Sequence, residues 1–223
     1  MKKLFTLLLS ITMVVLCLSC KKEKKETVPV APGTVTIAGE QSPIGVVGTT
    51  VSSSSGVIAG VSSISISVTS LSNGVSTCTG SAIVTNQAIK NLLSNIPELT
   101  INGDTVSTNS VKFRSTTEGI ESCSGPAPGI WVKYSSSVGD TYPIGSASNK
   151  RTVVSKSSTD DYYWGGMYIK VLKVEENPSY LKSTVVTKIT YIANHKFGMV
   201  GIEVTFDDET TATFPFYASA QNE

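Results

Sequence analysis

Beyond residue 34 most of this chain alternates apolar with polar positions, and a period of two is the pattern of half-buried β-strands. In "SISISV" Ile64, Ile66 and Val68 alternate with serines, "SNG" at Ser72 to Gly74 supplies a turn, and "VSTCTG" resumes the alternation. Together they predict a hairpin with Cys78 on its second strand. "SVKFRS", "GIWVKYS", "NKRTVVSKS", "WGGMYIKVLKVEE", "STVVTKITYIANH", "FGMVGIEVTF" and "TTATFPFYA" carry the pattern onward, the last two joined by the polar "DDET". The fold class this predicts is mainly β, an antiparallel meander forming a sandwich or barrel-like sheet.

One segment breaks the rhythm. In "TNQAIKNLLSNIPEL" Ala88, Ile89, Leu92, Leu93 and Ile96 fall at helical spacing, Thr85 or Asn86 can cap the start, and Pro97 imposes a stop. One short amphipathic helix near 85–96 is expected, covering an open sheet face or edge. "INGDTV" then turns at Asn102-Gly103. The run "CSGPAPGIW", Cys123 to Trp131, concentrates Pro and Gly and marks a boundary between an N-terminal β-rich half, 35–125, and a C-terminal antiparallel half, 126–223. A long loop within one continuous domain would carry the same residues.

The first residues follow a different logic. Met1, Lys2 and Lys3 precede an apolar run from Leu4 to Leu18, and "LCLSCKKEKKE" follows. That run is shorter than the about 20 residues a membrane helix needs, and extending it would bury Lys21 and Lys22. The charged start and apolar middle are those of a secretory signal. The C-x-x-C spacing of Cys17 and Cys20 has neither a domain ahead of it nor a matching second pair, so redox and metal roles lack their usual setting.

"LCLSC" resembles the lipobox of bacterial lipoproteins: an aliphatic-rich tail, the small Ser19 before the cut, and Cys20 at the position of the family's modified cysteine. Where the family prefers Leu three residues before that cysteine, this chain has Cys17, with Leu16 one position further back. The resemblance implies a signal peptide over 1–19 and acylation of Cys20, whose chains would be the protein's link to membrane lipid. Two or three acyl chains anchor a protein durably where one holds only marginally. In Gram-negative lipoproteins an Asp after the cysteine resembles a retention signal for the inner membrane. Lys21 stands there instead, which implies the outer membrane. Charges just after the cysteine also resemble surface-export signals of Bacteroidota lipoproteins. The stretch from Cys20 to residue 34, with "KKEKKETVPVAPG", reads as a charged, Pro-containing tether.

A net charge of +1 gives no general attraction for nucleic acid, and discounting the tether lysines leaves the folded part slightly acidic. Charged residues make up 16%, against about a quarter in an ordinary domain, with Ser, Thr and Gly in their place. Cys78 and Cys123 are the two cysteines left as thiols or a disulfide after processing. In an oxidising compartment they are expected to form a disulfide, the alternative being two small buried thiols.

Candidate chemistry is sparse. The sole histidine, His195, stands in "ANHKFG" without a G-x-S-x-G elbow anywhere in the chain. "SYLK" at Ser179 to Lys182 matches S-x-x-K but lacks the companion S-D-N and K-T-G elements. The carboxylates of Asp160-Asp161, Glu175-Glu176 and Asp207-Asp208-Glu209 lack the alternating spacing of a calcium loop and read as solvated turn residues. No pattern calls for a cofactor, a metal or a catalytic residue.

Aromatics give the binding hint: "DDYYWGGMY" places Tyr162, Tyr163, Trp164 and Tyr168 within one turn of chain. Such rings serve as sugar platforms, as protein-interface anchors or as core. "DTV" at Asp104 to Val106 resembles the acceptor of the Bacteroidota O-glycosylation system, with Thr105 as its acceptor residue. The expectation is a lipid-anchored cell-envelope protein acting as a non-catalytic binding or interaction module with a protein or glycan ligand. Glycan capture through the Tyr162–Tyr168 cluster is the competing reading, and an enzyme with an unfamiliar site is the third.

Overall fold

The computed structural model describes residues 36–54, 56–144, 149–182 and 185–219. The expected signal peptide, Cys20 and the expected tether lie outside them. The described residues belong to one compact unit. In chain order its strands are β1 (Thr50–Ser52), β2 (Val61–Ser72), β3 (Val75–Val84), β4 (Leu99–Asn102), β5 (Thr105–Thr116), β6 (Gly119–Ser122), β7 (Gly129–Lys133) and β8 (Thr141–Ile144). There follow β9 (Asn149–Lys156), β10 (Tyr162–Trp164), β11 (Met167–Ile169), β12 (Leu172–Glu176), β13 (Val186–Asn194), β14 (Gly198–Phe206), β15 (Thr211–Pro215) and β16 (Tyr217–Ser219). Among the described residues a single α-helix, α1 (Gln87–Leu93), lies between β3 and β4.

The strands form two larger antiparallel sheets and a separate hairpin. The first sheet runs β16-β1-β2-β3-β5-β6-β7, with β4 also paired to β5; the second runs β15-β14-β13-β12-β9-β8; β10 and β11 pair only with each other. The expected mainly β, antiparallel architecture with one short helix is what the chain adopts. The β2–β3 hairpin turns on Asn73 and Gly74, both with φ above zero (51° and 72°), the backbone of a tight hairpin turn that Asn and Gly tolerate best.

Each sheet turns an apolar face toward the other. On the second sheet the register aligns Val153 with Val174, Val174 with Tyr191, Tyr191 with Ile202 and Ile202 with Phe214. On the first sheet Val61, Val84 and Val106 join Val204, Ala212 and Phe214 of the second in one cluster. The two sheets share a corner, where the chain leaves the second sheet at β15 and, after Phe216, enters the first as β16 beside β1. At the opposite edge Arg151 of β9 donates from Nη1 and Nη2 to the carbonyls of Ile130 and Ala127, each at 3.0 Å, tying the second sheet to β7 and the loop before it.

Helix α1 caps one end of the inter-sheet space. Asn86 accepts from the N–H groups of Ala88 and Ile89, and Ile89 and Leu92 are buried in the cluster that joins both sheets. The expected stop at Pro97 comes earlier. The Ser94 hydroxyl and the Asn95 amide both donate to the carbonyl of Asn91, so polar side chains close the helix before proline is reached. Cys123–Pro128 is the loop joining β6 to β7, which pair with each other.

Candidate functional site

The β10–β11 hairpin turns on Gly165 and Gly166, whose φ values of 57° and 88° give the two-residue reversal that glycine permits. Its register pairs Tyr162 with Ile169, Tyr163 with Tyr168 and Trp164 with Met167. Alternation therefore divides the four aromatic residues expected to form one ligand platform. Trp164 turns inward: its ring stacks on Tyr217 at 5.5 Å and lies 4.8 Å from Phe197, and its Nε1 donates to the carbonyl of Phe216 at 2.9 Å. Tyr162 joins it over Ile169, Val171, Ile192 and Val200, and burial raises its phenol above the ordinary range. These contacts fasten the hairpin to the second sheet and to β16. Tyr163 and Tyr168 face solvent, 64% and 63% exposed, with ring centroids 5.4 Å apart and planes inclined by 63°.

A second assembly, invisible in the motifs, lies between the sheets. Arg151, 1% exposed, donates from Nε to Glu176 Oε2 at 2.6 Å, and Glu176 is itself 2% exposed. The hydroxyls of Tyr180 and Tyr191 donate to Glu176 Oε1 at 2.6 Å and 2.7 Å. Trp131 stacks on Tyr191 at 5.8 Å, and the Arg151 guanidinium lies 5.6 Å from the same ring. Burial, reinforced by the Glu176 carboxylate, holds both phenols well above their usual range, so they stay protonated donors at neutral pH. Beside this network lies a cavity of about 320 Å³ walled by α1, the Cys123–Pro128 loop and the inner faces of β13 and β14.

Glu176 corrects the expectation that the Glu175-Glu176 pair is a solvated turn. Both residues lie in β12, and Glu176 shares a face with Leu172 and Val174. The signal was present in the alternation, which places Arg151 in phase with Val153 and Glu176 in phase with Val174. Two opposite charges on core-facing positions are the mark of a buried pair.

The expected disulfide is not formed, and Cys78 and Cys123 are free thiols. The register gives the reason. Cys78 pairs with Val111 of β5, and Ser122 of β6 pairs with Phe113 on that same face, so Cys123, next to Ser122, points to the opposite face with β5 intervening. Burial pushes both thiols up to about 11, with the Glu121 carboxylate adding to the effect at Cys123.

The other candidates are scattered. Thr105 opens β5 at an exposed position beside the Gly103-Asp104 turn, and Asp104 is ion-paired with Lys90. His195 occupies the exposed β13–β14 turn, and Ser179 is exposed in a single 3-10 turn. Asp208 caps its own loop by accepting from the backbone and hydroxyl of Thr210, which lowers its carboxyl. Among the described residues no three His, Cys, Asp or Glu side chains gather as metal ligands, and no helix is long and apolar enough to cross a membrane. No family model, curated protein or solved structure matches this chain.

Proposed function

We propose that the chain is a lipid-anchored cell-envelope protein, held at the outer membrane through acylated Cys20, whose β domain is a non-catalytic interaction module for a protein partner. The observation that carries the binding part is the Tyr163–Tyr168 pair. Two large aromatic side chains stand in solvent on a hairpin whose opposite face is locked down by Trp164. Rigid exposed tyrosines are the preferred anchors of protein interfaces, because they bury much area for little lost side-chain freedom. The anchor rests on the "LCLSC" resemblance and on Lys21, and the tether would carry the hairpin clear of the bilayer.

Glycan capture is the second reading. Two rings inclined at 63° do not offer a common flat platform, so this reading rests on a single tyrosine face. The test is crosslinking in cell envelopes with the full-length protein and its Tyr163→Ala/Tyr168→Ala variant. A protein adduct formed by the wild type and lost in an equally stable variant supports the proposal. Equal adducts from both refute the hairpin's role. Polysaccharide retention lost in the variant, with no protein adduct in either, replaces it with the glycan reading.

A further inference from the structure

The turn at Gly165-Gly166 fixes which backbone groups of the hairpin face outward. A two-residue turn makes its flanking residues, Trp164 and Met167, a hydrogen-bonded pair. Antiparallel pairs alternate, so Tyr163 and Tyr168 are the non-hydrogen-bonded pair between that one and Tyr162–Ile169. Their N–H and C=O groups therefore point away from the facing strand, onto the hairpin's two outer edges. Neither β10 nor β11 pairs with a third strand, and among the described residues these groups have no hydrogen-bond partner.

Elsewhere the fold blunts its edges. The outermost strands of the second sheet, β8 and β15, contain Pro143 and Pro215, which have no N–H to offer a further strand, and β7, at one edge of the first sheet, ends in the exposed Lys133. The strands "YYW" and "MYI" contain neither Pro nor Lys and consist largely of strand-forming residues. Trp164 holds this unblunted ribbon in place.

The two edges differ. Just past β11 the Lys170 carbonyl accepts from Asn194 Nδ2 at 2.7 Å, which ties the chain there to the end of β13. The β10 edge begins instead with Asp160 and Asp161, both exposed. Asp161 accepts from the neutral Ser157 hydroxyl, and neither carboxylate is ion-paired among the described residues. Alternation places Asp161 on the same face as Tyr163.

We infer that the partner contributes an extended segment that adds to the outer edge of β10 as an antiparallel strand. The residue opposite Tyr163 exchanges two N–H···O=C bonds with it, and a Lys or Arg two residues further along the segment faces Asp161. Main-chain bonds supply the attachment, and the Asp161 carboxylate sets register and direction. This inference rests on the interaction-module reading and specifies how the partner is held.

The test is titration of the full-length protein with the capped peptide Thr-Val-Thr-Val-Thr-Lys-Thr, whose second valine stands two residues before its lysine. Saturable binding is expected, with hydrogen exchange slowed at the Tyr163 amide and unchanged at the Tyr168 amide. Methylating the backbone nitrogen of the second valine removes the donor to the Tyr163 carbonyl and should weaken binding about tenfold. Glutamate in place of the peptide lysine should weaken it about fivefold, and Asp161→Lys should reverse that preference. The methylated peptide tests the wild-type protein, so the outcome does not depend on a variant folding. No saturable binding, equal affinity for the methylated peptide, protection at Tyr168 instead of Tyr163, or an unchanged preference for lysine in a folded Asp161→Lys protein would each overturn the inference. Any of these with the Tyr163- and Tyr168-dependent envelope crosslink intact leaves the interaction module standing, with a partner that docks through side chains; loss of the crosslink as well removes both.

Discussion

Arg151 and Glu176 face each other across β9 and β12 as a fully buried ion pair, 2.6 Å from Nε to Oε2, with the remaining guanidinium nitrogens on the Ala127 and Ile130 carbonyls. One side chain thus joins the second sheet to the loop that leads into β7. Removing it leaves a buried carboxylate and two buried carbonyls uncompensated. Arg151→Met is expected to cost about 3–5 kcal/mol in urea unfolding. Arg151→Lys should recover only part of that, because an ammonium cannot span three acceptors in the guanidinium plane. A loss below about 1 kcal/mol in Arg151→Met would show that the pair does not hold the edge.

The two faces of the β10–β11 hairpin should respond oppositely to truncation. Trp164→Ala removes stacking on Tyr217, contact with Phe197 and the bond to the Phe216 carbonyl, and is expected to lower stability by about 3 kcal/mol. Tyr163→Ala and Tyr168→Ala remove mostly exposed rings that stand edge to face with each other, and each should stay within about 0.5 kcal/mol of wild type. Denaturant midpoints of the three variants check this. A tyrosine variant as damaging as Trp164→Ala would mean that the pair belongs to the core.

Both thiols should titrate without reductant, because Cys78 and Cys123 point to opposite faces of the first sheet. With both pushed up to about 11, the thiolate is scarce at neutral pH, and alkylation of the native protein should accelerate about tenfold per pH unit from 7 to 9. Mass spectrometry after iodoacetamide measures it. A protein that takes up the label only after reduction would contradict the register.

How much of this was legible beforehand varies with the range of the contact. The β2–β3 hairpin announced itself because alternation on both sides of Asn73-Gly74 is local, and α1 did so through Asn86 and the spacing of Ile89 and Leu92. The alternation placed Arg151 and Glu176 on core-facing positions, but not their pairing with each other, because β9 finds β12 only after the β10–β11 hairpin is set aside. Strands β1 and β16 span three residues each, too few for a period to show. The sense of Trp164 was equally hidden, since "YYW" has an aromatic ring on either face and only the hairpin's docking decides which is buried. Whether Cys78 can reach Cys123 depends on two pairings through β5, which spacing along the chain does not encode.

Alkaline titration should expose the buried phenols. Tyr180 and Tyr191 are held above their unfolded value, so their contribution to stability is complete below about pH 10 and is lost as pH climbs toward their folded values. Tyr134, pushed up to about 12 by burial, acts in the same direction. Phenolate absorbance should therefore rise in a late step coincident with loss of β-sheet circular dichroism. Tyr191→Phe should make that loss shallower. A smooth rise with all tyrosines ionised in a still-folded protein would contradict the buried network.

The measurement closest to the centre of the account is detergent phase partitioning of the chain expressed in a Gram-negative host, comparing wild type with Cys20→Ser and with globomycin treatment. The account predicts wild type in the detergent phase, Cys20→Ser no longer acylated and its β domain, once released by proteolysis at the tether, in the aqueous phase, with a larger precursor accumulating under globomycin. Wild type without incorporated fatty acid, or a precursor whose size globomycin leaves unchanged, would contradict it.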